Sequence, residues 1–298
     1  MKQAGQITQK LRSELPPLLQ IAIWAAYSFA MTIAAHIDHT GGTIAWRESG
    51  AGRPVIFLHG LGGTRTSWGA QLGDLSDEFH CIAWDMPGYG DSEPLAPLTY
   101  ASIADALAAF IDERELDKPD LVGLSFGGMH ALHTAIRHPD KVGRLVLADS
   151  SPAFGMDGTT REEWTAARLA PLDRGETPAD AAEHVVDMIT AVRLTGQVRD
   201  ETVGAFGEIS PVGFRAAVEC LPSNDVRSEL ADIEHETLVI VGELDEETPP
   251  SYAKVLSDGM PNAKLVVLDG VGHLSPAEDP VRFNDHVRRF LMTGQDRR

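Results

Sequence analysis

Pro119-Asp120-Leu121-Val122-Gly123-Leu124-Ser125-Phe126-Gly127-Gly128, continued by Met129-His130-Ala131-Leu132-His133-Thr134-Ala135-Ile136-Arg137, reads as a short buried strand, a sharp turn and a helix. A serine at such a turn is held out at the end of a sheet with its hydroxyl exposed. Glycines flank it because a side chain would clash in so tight a bend. The helix N-terminus just beyond offers free N–H groups to a developing negative charge. The pattern G-x-S-x-G occurs by chance, so its meaning depends on partners elsewhere in the chain.

Two later segments supply candidates. The strand-like Thr237-Leu238-Val239-Ile240-Val241 runs into Gly242-Glu243-Leu244-Asp245-Glu246-Glu247-Thr248-Pro249-Pro250, and Lys264-Leu265-Val266-Val267-Leu268 runs into Asp269-Gly270-Val271-Gly272-His273. A serine hydroxyl is a poor nucleophile at neutral pH and needs a base as it attacks. Imidazole suits that task because its pKa lies near neutrality. A carboxylate then fixes the imidazole tautomer and stabilises the imidazolium. Ser125, Asp245 and His273 are therefore the candidate nucleophile, acid and base. Asp149, at the end of the strand Arg144–Ala148, is the competing candidate for the acid.

A fourth segment, Pro54-Val55-Ile56-Phe57-Leu58 followed by His59-Gly60-Leu61-Gly62-Gly63-Thr64, reads as a strand and a glycine-rich loop. The backbone N–H groups of Phe126 and Leu61 are the candidate oxyanion donors. Losing one such donor costs roughly 3–4 kcal/mol of transition-state stabilisation. His59 reads as a brace for this loop, leaving His273 as the base.

These segments resemble the α/β-hydrolase superfamily from about residue 36 to about 293, and the order Ser125, Asp245, His273 is that family's order. Trp84-Asp85-Met86-Pro87-Gly88-Tyr89-Gly90-Asp91-Ser92 is similar to the family's D-x-x-G-x-G-x-S turn, which gives Asp85 a structural role. The resemblance implies an α/β fold: a mostly parallel, doubly wound sheet with an inserted helical cap. A serine at position 125 argues against haloalkane dehalogenases and epoxide hydrolases, which place an aspartate there.

The pattern of short apolar strands and amphipathic helices agrees. Core strands are expected at Val55–Leu58, Cys81–Trp84, Leu121–Val122, Arg144–Ala148, Thr237–Val241 and Leu265–Leu268, with helices such as Tyr100–Glu113 and Met129–His138 between them. The hydrolase core is thus assigned to residues 36–151 and 237–298, and the cap to 152–236. Within the latter, helices are expected around Arg161–Leu169, Pro178–Arg193, Asp200–Ile209 and Val212–Leu221, punctuated by Pro171, Pro178, Pro211 and Pro222. Phe154, Trp164 and Phe214 are the candidate substrate-binding residues, with Met156, Met188, Ile189 and Phe206 as further pocket or cap-to-core contacts. No arginine among Arg161, Arg168, Arg193, Arg199 and Arg215 stands out as an anion binder.

Residues 1–35 do not fit the domain. Leu18 to Ala35 carries no charge and follows Lys2, Lys10 and Arg12, which suits a signal or anchor. An upstream start with Met31 as the natural initiator is the alternative, and a helix docking on the cap or another subunit is a third. A cytoplasmic enzyme is expected, with export or membrane anchoring through residues 15–35 as the alternative if that apolar segment is genuine. Cys81 and Cys220 read as buried, inert thiols.

With 25 Lys and Arg against 44 Asp and Glu, the formal charge of −19 argues against nucleic acid as a partner. Neither C-x-x-C nor H-E-x-x-H occurs, so no metal and no cofactor is expected. The expected partner is a small-molecule ester or lactone, cleaved through an acyl-enzyme. Gly123 to Met129, Thr248-Pro249-Pro250, His273-Leu274-Ser275 with Glu278, and Pro211 to Ala217 followed by Asp225 and Leu230 are similar to 3-oxoadipate enol-lactonases. Carboxylesterases and cofactor-free haloperoxidase-like members share these matches. Meta-cleavage-product C–C hydrolases, and a non-catalytic ligand-binding relative, are the remaining readings.

Overall fold

Residues of alternate parity on the central strands divide between two cores. Val55 and Phe57 join one apolar cluster, and Ile56 and Leu58 join the other, so both faces of the sheet are covered. The computed structural model describes residues 36–293, and the expectations for residues 1–35 lie outside them. Strands β1 (Ile37–His39), β2 (Trp46–Ser49), β3 (Arg53–Leu58), β4 (Phe79–Trp84), β5 (Asp120–Leu124), β6 (Leu145–Ala148), β7 (Thr237–Gly242) and β8 (Ala263–Leu268) form one sheet in the order β1-β2-β4-β3-β5-β6-β7-β8. β1 and β2 pair antiparallel, and every pairing from β4 to β8 is parallel. The α/β-hydrolase sheet expected from the sequence is present.

Helices α1 (Gly69–Leu75), α2 (Tyr100–Glu113) and α3 (Phe126–Arg137) belong to the first half of the sheet. Helices α4 (Arg161–Asp173), α5 (Pro178–Ile189), α6 (Gly196–Gly207) and α7 (Pro211–Cys220) all fall between β6 and β7. The chain ends its described part with α8 (Pro250–Gly259), the single turn α9 (Ser275–Glu278) and α10 (Pro280–Met292). Ile103 and Leu107 of α2, Leu132 of α3 and Leu256 of α8 pack on one face; Leu72 and Leu75 of α1 and Phe283, Val287 and Leu291 of α10 pack on the other. Phe206, Phe214 and Leu221, from the helical stretch between β6 and β7, join the same cluster as Ile56 and Leu58.

This topology places the site. β3 is paired on one side with β4 and on the other with β5, with Leu58 opposite Gly123. The chain leaves β3 towards β4 and leaves β5 towards β6, so the loops after Leu58 and Leu124 diverge and open a crevice at the strands' carboxyl ends.

Several boundaries differ from the sequence expectation. α3 begins at Phe126, three residues before the expected Met129, because Gly127 and Gly128 are already helical and packed hard against backbone. A Cβ on Gly127 would lie 2.0 Å from the Leu58 carbonyl oxygen. α4 runs through Pro171 to Asp173, where an end near Leu169 was expected; a proline there removes one helical hydrogen bond without ending the helix. β8 is an edge strand, with Leu265 and Val267 exposed, so it is less a core strand than its apolar run suggests. No described helix is long and apolar enough to cross a membrane.

Candidate active site

Ser125 sits at φ 53°, ψ −116°, a conformation L-residues rarely adopt. Holding it costs about 1–3 kcal/mol, and the surroundings enforce it. The Ser125 N–H donates to Ala148 O at 2.8 Å, while its carbonyl accepts from the N–H groups of Gly128 and Met129 and from the Ser150 hydroxyl. A Cβ on Gly123 would lie 2.4 Å from Gly127 O. The strand and helix therefore meet too closely for any other residue at either glycine, and the serine is thrust beyond the sheet.

Ser125 Oγ lies 3.0 Å from His273 Nε2, and His273 Nδ1 lies 3.0 Å from both carboxylate oxygens of Asp245. With the hydroxyl donating to Nε2 and Nδ1–H donating to the carboxylate, both ring nitrogens are satisfied. Asp245 is fixed by a tight turn of its own. Oδ1 accepts the N–H groups of Glu247 (2.9 Å) and Thr248 (3.0 Å), and Oδ2 accepts the Thr248 hydroxyl at 2.9 Å. Burial pushes this carboxyl up, but the His273 charge and these bonds hold it below the ordinary aspartate value. Burial lowers His273, but the Asp245 charge and hydrogen bond, helped by the Asp149 and Glu247 charges, raise the imidazole to about 9.

Asp149 makes no hydrogen bond to the imidazole. It is fully buried at φ 43°, and its oxygens accept the N–H groups of Gly242 (2.9 Å) and Ser275 (3.0 Å). Burial and the nearby Asp245 charge push its carboxyl up to about 7. Asp149 thus ties the ends of β6 and β7 to the histidine loop, and Asp245 occupies the position against the ring.

The glycine-rich loop after β3 passes beside the serine: a Cβ on Gly60 would lie 3.4 Å from Ser125 Cβ. Leu61 lines the cavity, with its carbonyl accepting the Tyr89 hydroxyl at 3.1 Å. Phe126 contributes its backbone at the first turn of α3, while its ring is buried against His130 and Tyr100. Among the described residues, neither the Leu61 nor the Phe126 N–H has a protein acceptor. His59 braces this loop: its Nδ1–H donates to Gly60 O (2.9 Å), and Nε2 accepts the Met86 N–H (3.0 Å). Burial drives its pKa down to about 4, so it stays neutral. Asp85 is structural as well, accepting the N–H groups of Arg65 (2.7 Å) and Asp91 (3.2 Å) and pairing with the Arg65 guanidinium.

A cavity of about 760 Å³ opens over Ser125 and His273. Phe154, Trp164 and Phe214 all line it, as do Met188, Ile189 and Phe206, whereas Met156 does not. These side chains also hold one another: Phe154 meets Trp164 edge-on at 5.5 Å, and Phe206 lies 6.0 Å from Phe214. The two arginines in the lining are both engaged. Arg168 pairs with Glu247 at 2.9 Å and stacks over Trp164, and Arg174 pairs with Glu176 at 2.7 Å. Cys81 and Cys220 are buried, with burial pushing their thiols up to about 12 and about 11. Both are inert at neutral pH.

Of the supporting residues, Thr248, Ser150 and Glu278 carried no assigned role in the sequence, and Asp149 was a candidate only for the acid. The roles of Ser150, Asp149 and Glu278 show only in three dimensions, since each binds backbone that no sequence pattern marks. Only Thr248, three residues after Asp245, has a local pattern that points to its role.

A family model for "Alpha/beta hydrolase family" matches residues 55–286. The chain belongs to the alpha/beta hydrolase family. Within that family it is 32% identical over 254 residues to a 2-hydroxymuconate semialdehyde hydrolase of Pseudomonas sp. (strain CF600), covering 82% of this chain and 88% of that protein. A thermophilic esterase from Thermogutta terrifontis superposes with a TM-score of 0.74 at 29% identity, covering 87% of this chain and 98% of that one. An enol-lactonase from Burkholderia xenovorans LB400 superposes with a TM-score of 0.73 over 83% of this chain and 96% of that one. Its 24% identity makes it a likeness of fold. The protein is an enzyme of this hydrolase family.

Proposed function

We propose that the protein is a serine hydrolase that cleaves an uncharged carboxylic ester or lactone of a small molecule. The observation that carries this reading is the unbroken chain from Ser125 Oγ through His273 to Asp245, at the floor of an apolar-lined cavity. Ser125 attacks the carbonyl carbon as His273 Nε2 takes its proton. The tetrahedral oxyanion is held by the N–H groups of Leu61 and Phe126, and His273 then returns the proton to the departing alcohol. Water, deprotonated by His273, hydrolyses the acyl-enzyme. Residues 152–236 act as the cap, and Phe154, Trp164, Phe214 and Ile189 line the acyl subsite.

The relative named for 2-hydroxymuconate semialdehyde makes carbon–carbon hydrolysis the second reading. That substrate carries a carboxylate, which calls for an uncommitted cation near the serine. The cavity's two arginines are bound to Glu247 and Glu176 instead, which favours a neutral substrate. A panel of p-nitrophenyl esters, simple lactones, an enol-lactone and 2-hydroxymuconate semialdehyde separates the readings. Turnover of neutral esters or lactones at least 100-fold above the semialdehyde is expected. Preference for the semialdehyde overturns the proposal.

A further inference from the structure

Glu278 holds the histidine loop and one wall of the cavity on a single carboxylate. It closes the single turn α9 and is 8% exposed. Oε2 accepts the N–H groups of Ala191 (2.9 Å), Val192 (2.9 Å) and Gly272 (3.0 Å), and Oε1 accepts that of Leu274 (3.0 Å). Gly272 and Leu274 flank His273, while Ala191 and Val192 follow the end of α5. A return bond closes the ring of contacts: the His273 N–H donates to Ile189 O at 3.0 Å. The two segments touch so closely that a Cβ on Gly272 would lie 2.6 Å from Ala191 N. Ile189 and Met188, just upstream, line the cavity over Ser125.

An ionised carboxylate is acceptor-only, and four backbone donors from two segments converge on this one. We propose that Glu278 is a positioning residue that makes the α5 wall of the cavity and the His273 loop one rigid unit, so that the fit of the acyl group against Ile189 is expressed in kcat and not only in KM. The proposal rests on the Ser125–His273–Asp245 reading. Its physical basis is the steepness of proton transfer with geometry: a displacement of about 1 Å in a reacting group costs on the order of 10²-fold in rate. A glue-like role, by contrast, would lower the amount of folded enzyme and leave the turnover of each folded molecule unchanged.

The test compares wild type with Glu278→Gln, which keeps the size of the side chain but turns one acceptor into a donor. Steady-state kinetics use p-nitrophenyl acetate and butyrate, with active enzyme counted by fluorophosphonate titration of Ser125. The expected result is a fall in kcat of at least tenfold with KM within threefold, and at least a threefold narrowing of the acetate-to-butyrate kcat ratio. Amide exchange over 189–193 and 271–275 is expected to speed up at least tenfold. Unchanged kcat per titrated serine, with faster exchange, overturns the proposal and leaves the serine reading intact. A wild type that does not react with fluorophosphonate overturns that reading instead. Should Glu278→Gln not fold, Glu278→Asp, which keeps the charge on a shorter arm, is measured in the same way. In wild type itself, exchange at 191 and 192 as fast as in an unfolded peptide overturns the clamp regardless of either variant.

Discussion

Ser125 and His273 are 148 positions apart in the chain, and their side chains meet at 3.0 Å between Oγ and Nε2. Strand β5 and helix α3 deliver the serine, and the loop after β8 delivers the histidine. What brings them together is the parallel order of the sheet, which sends both loops to the same edge.

Asp245 and Asp149 are separable by substitution. Asp245→Asn removes the charge paired with His273 and is expected to lower kcat by roughly 10⁴-fold, as loss of the triad carboxylate does in serine proteases. Asp149→Asn leaves one of the buried Gly242 and Ser275 N–H groups without an acceptor. It is expected to cost about 1–3 kcal/mol of stability, with kcat within about tenfold of wild type. Ester turnover and chemical denaturation of the two variants check this. Loss of turnover confined to Asp149→Asn would transfer the acid role to it.

The pH profile has a definite sign. The proposed base, His273, can accept a proton only when neutral, and the Asp245 charge, with smaller contributions from Asp149 and Glu247, raises its pKa above the usual 6.5, to about 9. Activity is therefore expected to rise with pH along a limb centred above 6.5, and Asp245→Asn should move that limb to lower pH. kcat/KM measured from about pH 5 to about pH 10, roughly 1.5 units below the unperturbed imidazole to about 3.5 above it, reads it directly. A wild-type limb at or below the ordinary imidazole value contradicts the assignment.

Buried imidazoles oppose stability in acid. His59 is held neutral, with its pKa lowered from 6.5 to about 4 by burial. Between those values the unfolded chain takes up a proton that the native loop does not. Its contribution is thus present above pH 6.5 and is lost as pH falls through about 4. Burial lowers His130 and His133 as well, adding to the same slope. Asp149, raised to about 7, contributes with the opposite sign in the same window. The histidine is therefore read directly: the His59 ring signals in NMR should remain those of the neutral imidazole down to about pH 4, and a titration near 6.5 would count against the buried neutral state.

Gly127→Ala tests the crowding around the serine turn. Its Cβ would meet the Leu58 carbonyl at 2.0 Å, a backbone atom that cannot swing away. A loss of about 3 kcal/mol or more is expected, read from the denaturation midpoint. A variant as stable as wild type would show that the turn is looser than described.

The sheet and the nucleophile turn were legible because their signals are local: glycine spacing around Ser125, short apolar runs and breaks between them. Tyr100–Glu113 was readable to the residue because Thr99 caps it and its apolar face is regular. The start of α3 was not, since glycines normally argue against a helix interior, and only the contact of Gly127 with Leu58 explains them. β8 misled for a related reason: an apolar run does not reveal that one strand lies at an edge. Asp149 and Glu278 were visible as residues but not as anchors, because their partners are backbone N–H groups that no sequence pattern marks.

The central claim is that Ser125 is the nucleophile, and mass spectrometry of the enzyme quenched during ester turnover tests it most directly. The account predicts one acyl group per chain, mapped to Ser125 and absent in Ser125→Ala. An acyl group on another residue, or full ester turnover by folded Ser125→Ala, would contradict it.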